Sequence, residues 1–131
     1  MAALTKNRTT RRRDTRSFND PVAAGVQIHA GALIVLNAAG FAEPATTATG
    51  LRVRGVAQHP SDNRTGADGA GAVDSLPGAH LFKNSGDITR ADIGSNAHIV
   101  DDQTVSADGA GKSVAGLIDD VTSEGVWVVI P

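Results

Sequence analysis

The sequence predicts an all-β fold, a small barrel or sandwich with an extended basic arm at its N-terminus. No stretch of ten or more residues carries the apolar period of an amphipathic helix. Short β-branched runs are instead broken every few residues by Gly, Asn and Asp, the pattern of close-spaced strands and turns. Charge then separates the arm from the body. Lys6, Arg8, Arg11, Arg12, Arg13 and Arg16 stand against Asp14 alone, a net of +5 over residues 1–16. The whole chain has 12 Lys and Arg against 14 Asp and Glu, so residues 17–131 are left with 6 against 13, a net of −7. A basic tail on an acidic body is an interaction arm for an acidic partner.

Residues 1–20 are accordingly read as the extended arm and 21–131 as the β-barrel domain. Fixing roughly 17 arm residues costs on the order of 17–34 kcal/mol of backbone entropy. A polar, Arg-rich segment does not offset that from its own contacts, so a sister chain or a larger partner must hold it in place. From Pro21 onward the strands follow in order. Val22 to Ala30 is a first run, in which Gln27 and His29 alternate with Val26 and Ile28. Ala32 to Leu36 is a second, closed by Asn37 to Gly40, and a Thr/Ala segment from Pro44 to Gly50 leads into Leu51 to Val56. There Arg52 and Arg54 alternate with apolar residues, as in a half-buried strand.

Residues 60–78 read as a loop of low hydrophobicity. Strands resume at Ala79 to Phe82 and Ala97 to Val100, with Thr104-Val105 pairing or extending the latter. Between them, Ile88 to Ile93 allows one helical turn capped by Thr89. Ser113 to Asp119 and Gly125 to Ile130 form a hairpin with a loop of about five residues. In its second strand Val126, Val128 and Ile130 face one way and Trp127 and Val129 the other. A strand apolar on both faces is central or covered by a partner, which makes Trp127 an interface candidate. The core is thin, since 15 residues are Gly and Ala is more frequent still.

Several function classes fall away. With 0 Cys there is no disulfide, thiolate metal site or cysteine nucleophile. With 3 Phe, 1 Trp and 0 Tyr there is no aromatic platform for single-stranded nucleic acid. The apolar run Ala32 to Leu36 is too short to span a bilayer, and no apolar run follows the basic N-terminus, so synthesis in a reducing cytoplasm is expected. Asn7-Arg8-Thr9 and Asn63-Arg64-Thr65 fit the glycosylation pattern but carry no weight without a secretory route. Gly109-Ala110-Gly111-Lys112-Ser113 imitates the end of a phosphate-binding loop, yet Ser106 stands where its first Gly belongs and a strand follows where a helix is required. Asp101-Asp102 and Asp119-Asp120 sit at strand ends, where Asp makes turn hydrogen bonds. His29, His59, His80 and His98 lie singly, without metal-ligand spacing. Ala-Asp-Gly-Ala-Gly occurs at 67–71 and 107–111 with unrelated flanks, as recurrent turn chemistry does. No catalytic residue, metal or cofactor is predicted. The cluster Arg11-Arg12-Arg13 leaves nucleic-acid binding through the arm as the alternative reading, opposed by the acidic body.

The segment Phe82-Lys-Asn-Ser-Gly-Asp-Ile-Thr-Arg-Ala-Asp-Ile-Gly-Ser-Asn-Ala-His-Ile-Val-Asp-Asp-Gln-Thr-Val105 resembles the C-terminal half of the small head decoration, or capsid cement, proteins of tailed bacteriophages. Ala107 to Asp119 and Gly125 to Ile130 continue the same pattern, and Val22 to Leu36 is similar to the start of their barrels. The resemblance implies a β-barrel or β-tulip-like body on the outer surface of a virion. There it clamps neighbouring subunits of the major capsid protein and has no enzymatic activity. It also implies self-association, as a homotrimer at local three-fold positions or, failing that, a dimer at two-fold positions. Lys6, Arg8, Arg11, Arg12, Arg13, Arg16 and Phe18 would then form the capsid-binding arm, and Trp127 an oligomer or capsid contact.

Overall fold

The computed structural model describes residues 2–11 and 17–131. Its strands in chain order are β1 (Phe18–Pro21), β2 (Gln27–Ile28), β3 (Leu33–Leu36), β4 (Ala42–Pro44), β5 (Arg52–Ala57) and β6 (Ser61–Asp62). They continue as β7 (Ala72–Leu76), β8 (Gly78–Asn84), β9 (Asn96–Ile99), β10 (Thr104–Ser106), β11 (Val114–Thr122) and β12 (Gly125–Ile130). One 3-10 turn, Arg90–Asp92, is the only helical element among the described residues. The fold is all-β, as the alternation and turn spacing predict.

The C-terminal five strands close into a barrel in the order β10-β8-β12-β11-β9. Closure depends on the short β10, which runs parallel to β8 and antiparallel to β9. Inward side chains fill the interior: Phe82, Ala97, Ile99, Val105, Ala115, Ile118, Val126, Val128 and Ile130 are all buried. A five-stranded barrel has little internal volume, which is why Ala97 and Ala115 share it with the branched residues. The first half forms a five-stranded sheet ordered β1-β7-β5-β3-β4, and β2 pairs with β6 beside it.

β3 joins the two halves. Leu33 and Val35 pack with Val56 into the barrel core, while Ile34 between them joins Val22, Ile28, Ala32, Ala42, Ala57 and Val73 on the opposite face. Burial on both faces explains why this strand is a continuous apolar run without alternation. The sheet therefore has two cores, one shared with the barrel and one closed by the Val22–Ile28 segment.

Four boundaries differ from the sequence reading. Residues 18–20, assigned to the arm, are strand: β1 begins at Phe18 and pairs antiparallel with β7. The run from Val22 to Ala30 is not one strand, because Gly25 takes a positive φ of 76° and turns the chain, leaving Gln27–Ile28 as a short strand and Val22 in a single bridge to Ala42. The presumed loop 60–78 contains β6 and β7, and β7 lies inside the sheet between β1 and β5. Its apolar signal is weak because the buried positions are Val73 and Ser75, and the Ser75 hydroxyl is buried without a hydrogen-bond partner. The last hairpin turns through Ser123-Glu124 alone, since β11 runs on to Thr122 past a register shift between Ile118 and Asp120. Asp119 is the extra residue of that bulge.

The 3-10 turn forms where Thr89 was expected to cap it, with the Asp92 carboxylate accepting the Thr89 backbone N–H at 2.8 Å. Gly55 marks the closest approach of β5 to β7. A Cβ there would lie 2.8 Å from the carbonyl carbon of Leu76, against backbone that cannot yield cheaply. Gly55→Ala is expected to destabilise the protein by about 1–3 kcal/mol through this overpacking. Urea unfolding followed by Trp127 fluorescence would measure it.

Candidate functional site

The arm and its attachment are the first candidate surface. Residues 2–11 have no regular structure and every one is exposed, including Lys6, Arg8 and Arg11. Arg12, Arg13 and Arg16 lie outside the described residues. Phe18, the last residue predicted for capsid contact, is half-buried in β1 with its ring beneath the Arg54 guanidinium, 3.7 Å from its centre. Arg54 in turn grips Asp20 with two hydrogen bonds, Nε to Oδ2 at 2.8 Å and Nη2 to Oδ1 at 3.1 Å. Asp20 is 7% exposed, so its carboxylate is tolerated inside only because the fork satisfies both oxygens.

A bulge aims Arg54 at this pair. Ile34 pairs with Gly55 and Val35 with Val53, leaving Arg54 as the unpaired residue between them. The sequence shows Arg52 and Arg54 as alike, but only Arg54 is turned onto β1. Arg52 instead donates to the Asn37 carbonyl at 3.0 Å. One residue along β1, Asn19 Nδ2 donates to Asp74 Oδ1 at 2.8 Å, and His59 Nε2 lies 3.2 Å from Asp74 Oδ2. The Asn19 amide, first, and then His59 hold the Asp74 carboxyl below the usual range. Three side chains of a four-residue edge strand are thus tied to β5 and β7, which fixes the point from which the arm leaves.

The second candidate surface is the outside of the barrel. Trp127 is 37% exposed and sits directly across from Leu81 in the β12–β8 ladder. Val129 is flanked by Ala79 on β8 and Leu117 on β11. Sequence reasoning singled out Trp127 alone; its neighbours become a surface only when three strands are brought side by side.

The remaining motifs resolve into scaffolding. In the phosphate-loop look-alike, Lys112 N–H closes a turn on the Gly109 carbonyl at 3.1 Å, and β11 follows. Ser113 Oγ donates to the Ala48 carbonyl at 2.6 Å and accepts Leu51 N–H at 3.0 Å, so the hydroxyl is committed to the fold. Gly109 is small because it abuts the His98 ring: a Cβ there would lie 2.7 Å from Nε2. Asn63 of the glycosylation pattern is 5% exposed, and its Nδ2 donates to the carbonyls of Val22, Ala23 and Ala67. That nitrogen is not available to a glycosyltransferase.

Asp87 is the polar hub that the sequence did not reveal. Its carboxylate accepts from Ser106 Oγ at 2.6 Å, Ser85 Oγ at 2.7 Å, Ala107 N–H at 3.1 Å and Asp108 N–H at 3.3 Å. It ties the turn after β8 to the turn after β10. The Ser106 hydroxyl first, then Ser85 and the two backbone donors, hold its carboxyl far below the ordinary value of 3.8. Asp62, paired with Arg64 at 2.7 Å, is lowered to about 2.

No group of three or more His, Cys, Asp or Glu placed to hold a metal ion is present among the described residues, and no helix there is long and apolar enough to cross a membrane. Comparison with protein-family models, with curated proteins and with solved structures finds no match for the chain.

Two predictions follow from the polar anchors. Arg54→Ala strands the Asp20 carboxylate, and Arg54 is itself about a third exposed, so the cost should fall below that of a fully buried pair, at about 2–3 kcal/mol. Arg54→Lys keeps the charge but loses the fork and the ring contact, and should be intermediate. Hydrogen exchange would show the amides of residues 18–20 released first. For Asp87 the folded state favours the charged form, so its stabilisation is complete above the unfolded value near 4 and is lost as pH falls below it. Asp87→Asn should lower stability at pH 7 and flatten the acid limb of a stability–pH profile, measured by thermal unfolding from pH 7 to pH 2.

Proposed function

We propose that the protein is a non-enzymatic structural component of a virion, binding the outer surface of a bacteriophage capsid and clamping neighbouring major capsid subunits. The observation that carries this reading is the division of labour within the chain. A body with a closed barrel, and with a proline in each edge strand of its five-stranded sheet, bears a cationic N-terminal segment that is exposed over residues 2–11. The barrel has no edge by closure. The edges of the five-stranded sheet, β1 and β4, contain Pro21 and Pro44, which have no N–H, and a bridge between Val22 and Ala42 links them. Backbone pairing with a partner is therefore left to the arm, which adds as a strand to a neighbour's sheet.

The resemblance of residues 82–130 to capsid cement proteins supports the same assignment. Exposed ion pairs contribute only about 0–1 kcal/mol each, so the arm's cations steer and orient while pairing and apolar burial supply affinity. Repetition over a shell lattice then turns modest single-site affinity into durable attachment.

Deleting residues 1–17 tests the reading. The body should stay folded, because β1 and all its ties begin at Phe18, and circular dichroism would check this. Loading onto capsids, measured by co-sedimentation, should fall strongly. Changing Arg11, Arg12, Arg13 and Arg16 to Ser should have a smaller effect, a slower association with less dependence on salt. Full loading of the truncated protein would show that the body alone attaches. Tight, salt-sensitive binding to DNA without capsid loading would move the arm to nucleic acid.

A further inference from the structure

We propose that the Asp20–Pro21 peptide is a self-cleavage site, and that the Arg54 fork on Asp20 holds it closed. Five prolines occur in the chain, and Pro21 alone follows an aspartate. An aspartate oxygen can reach the carbonyl carbon of its own residue, an intramolecular attack with a large advantage in effective concentration. Proline makes the bond a tertiary amide, so its nitrogen leaves as a secondary amine. The nearest analogue, Glu43–Pro44, needs a larger ring and lacks that advantage. In the reaction, one Asp20 carboxylate oxygen bonds to the Asp20 main-chain carbonyl carbon, and the C–N bond to Pro21 breaks. The departing electron pair takes a proton from solvent, and the two carbons are left bridged as a cyclic anhydride. Water then opens the anhydride. The products are residues 1–20, ending in a free aspartic acid, and residues 21–131, beginning at Pro21. One water is consumed and nothing is oxidised or reduced.

The fold supplies the restraint. Asp20 is buried, and Arg54 holds its Oδ2 at 2.8 Å and its Oδ1 at 3.1 Å, so neither oxygen is free to attack. Charge-assisted bonds of this kind are the strong ones, and turning an oxygen onto the carbonyl carbon breaks at least one of them. Pairing of β1 with β7 holds the main chain on either side of the bond, Asp20 against Val73 and Pro21 against Ala72. Pro21 itself is exposed, so water reaches the departing nitrogen. The cut falls between the arm and the rest of the chain: Lys6, Arg8, Arg11, Arg12, Arg13 and Arg16 all leave with residues 1–20. The body keeps its new end in place, because Val22 is buried and its N–H donates to the Gly71 carbonyl at 2.9 Å. The site makes the arm detachable, whatever the arm binds.

Mass spectrometry of the full chain, held in one mildly acidic buffer, is the test. The folded wild type should stay intact, while the same protein unfolded in urea should accumulate residues 1–20 and 21–131. Arg54→Ala, checked for folding by circular dichroism, should cut at this bond at least about tenfold faster than the folded wild type. Arg54→Lys keeps a charge without the fork and should fall between them, and it carries the test if Arg54→Ala does not fold. Asp20→Asn in the Arg54→Ala chain should end the cleavage, because an amide is a poor nucleophile. Asn19→Ala loosens β1 from Asp74 but leaves the fork, and should cut at the wild-type rate. The proposal is overturned by a folded wild type that cuts as fast as Arg54→Ala, or by an unfolded or Arg54→Ala chain that stays whole. Asn19→Ala cutting as fast as Arg54→Ala, or cleavage that survives Asp20→Asn, would overturn it too.

Discussion

Burial of β3 on both faces is the constraint on which the architecture depends. Its four residues supply Leu33 and Val35 to the barrel core and Ile34 to the core behind the sheet. A chain with so many Gly and Ala residues cannot build two independent cores of normal thickness, and one shared strand removes the need. The barrel interior ends against the sheet and the sheet is sealed by the Val22–Ile28 segment. A polar substitution at Leu33 or Val35 would therefore strike the barrel core, and one at Ile34 the core behind the sheet. Val56 on β5 reinforces the junction from the neighbouring strand.

The polar interactions work around that frame rather than within it. The fork of Arg54 on Asp20, the Asn63 amide on three carbonyls and the Asp87 carboxylate on four donors each tie together segments distant in the chain. Asp20 and Asn63 are buried and Asp87 is exposed, but each cluster fixes one loop or strand end. The Arg54 pair has the clearest functional consequence, since it sets where the arm departs. A β-bulge, which disturbs the ladder locally, is what re-aims that guanidinium away from its strand's regular alternation.

Closed edges and open faces shape how the protein meets others. Prolines at β1 and β4 and closure of the barrel suppress uncontrolled strand addition, a hazard for any all-β chain held at high local density. The other exposed features are residues 2–11, which have no regular structure, and an apolar face on the barrel. These are separate surfaces, one at each end of the chain.

Much of the fold was legible from local pattern. The β-branched run Val126–Ile130, the continuous apolar run at Ala32–Leu36 and the Gly-bounded segments of the barrel are local signals, and all became strands. Charge alone set a basic N-terminal segment apart from an acidic remainder. Where local signal was weak, the reading failed: β7 buries Val73 and Ser75, and β1 is a four-residue edge with a proline, so neither carries an apolar period. The candidate surfaces were less legible than the fold. Trp127 stood out in the sequence, but Leu81, Leu117 and Val129 are separated from it by up to 46 positions and become its neighbours only through strand register. Arg54 and Asp20, 34 positions apart, are likewise indistinguishable from other surface charges until β1 is laid against the sheet. Sequence determined the all-β class and the charged arm because alternation and composition are local properties. Tertiary structure alone decided the anchor, the Asp87 hub and the apolar face, because each depends on strand order, which long-range pairing selects.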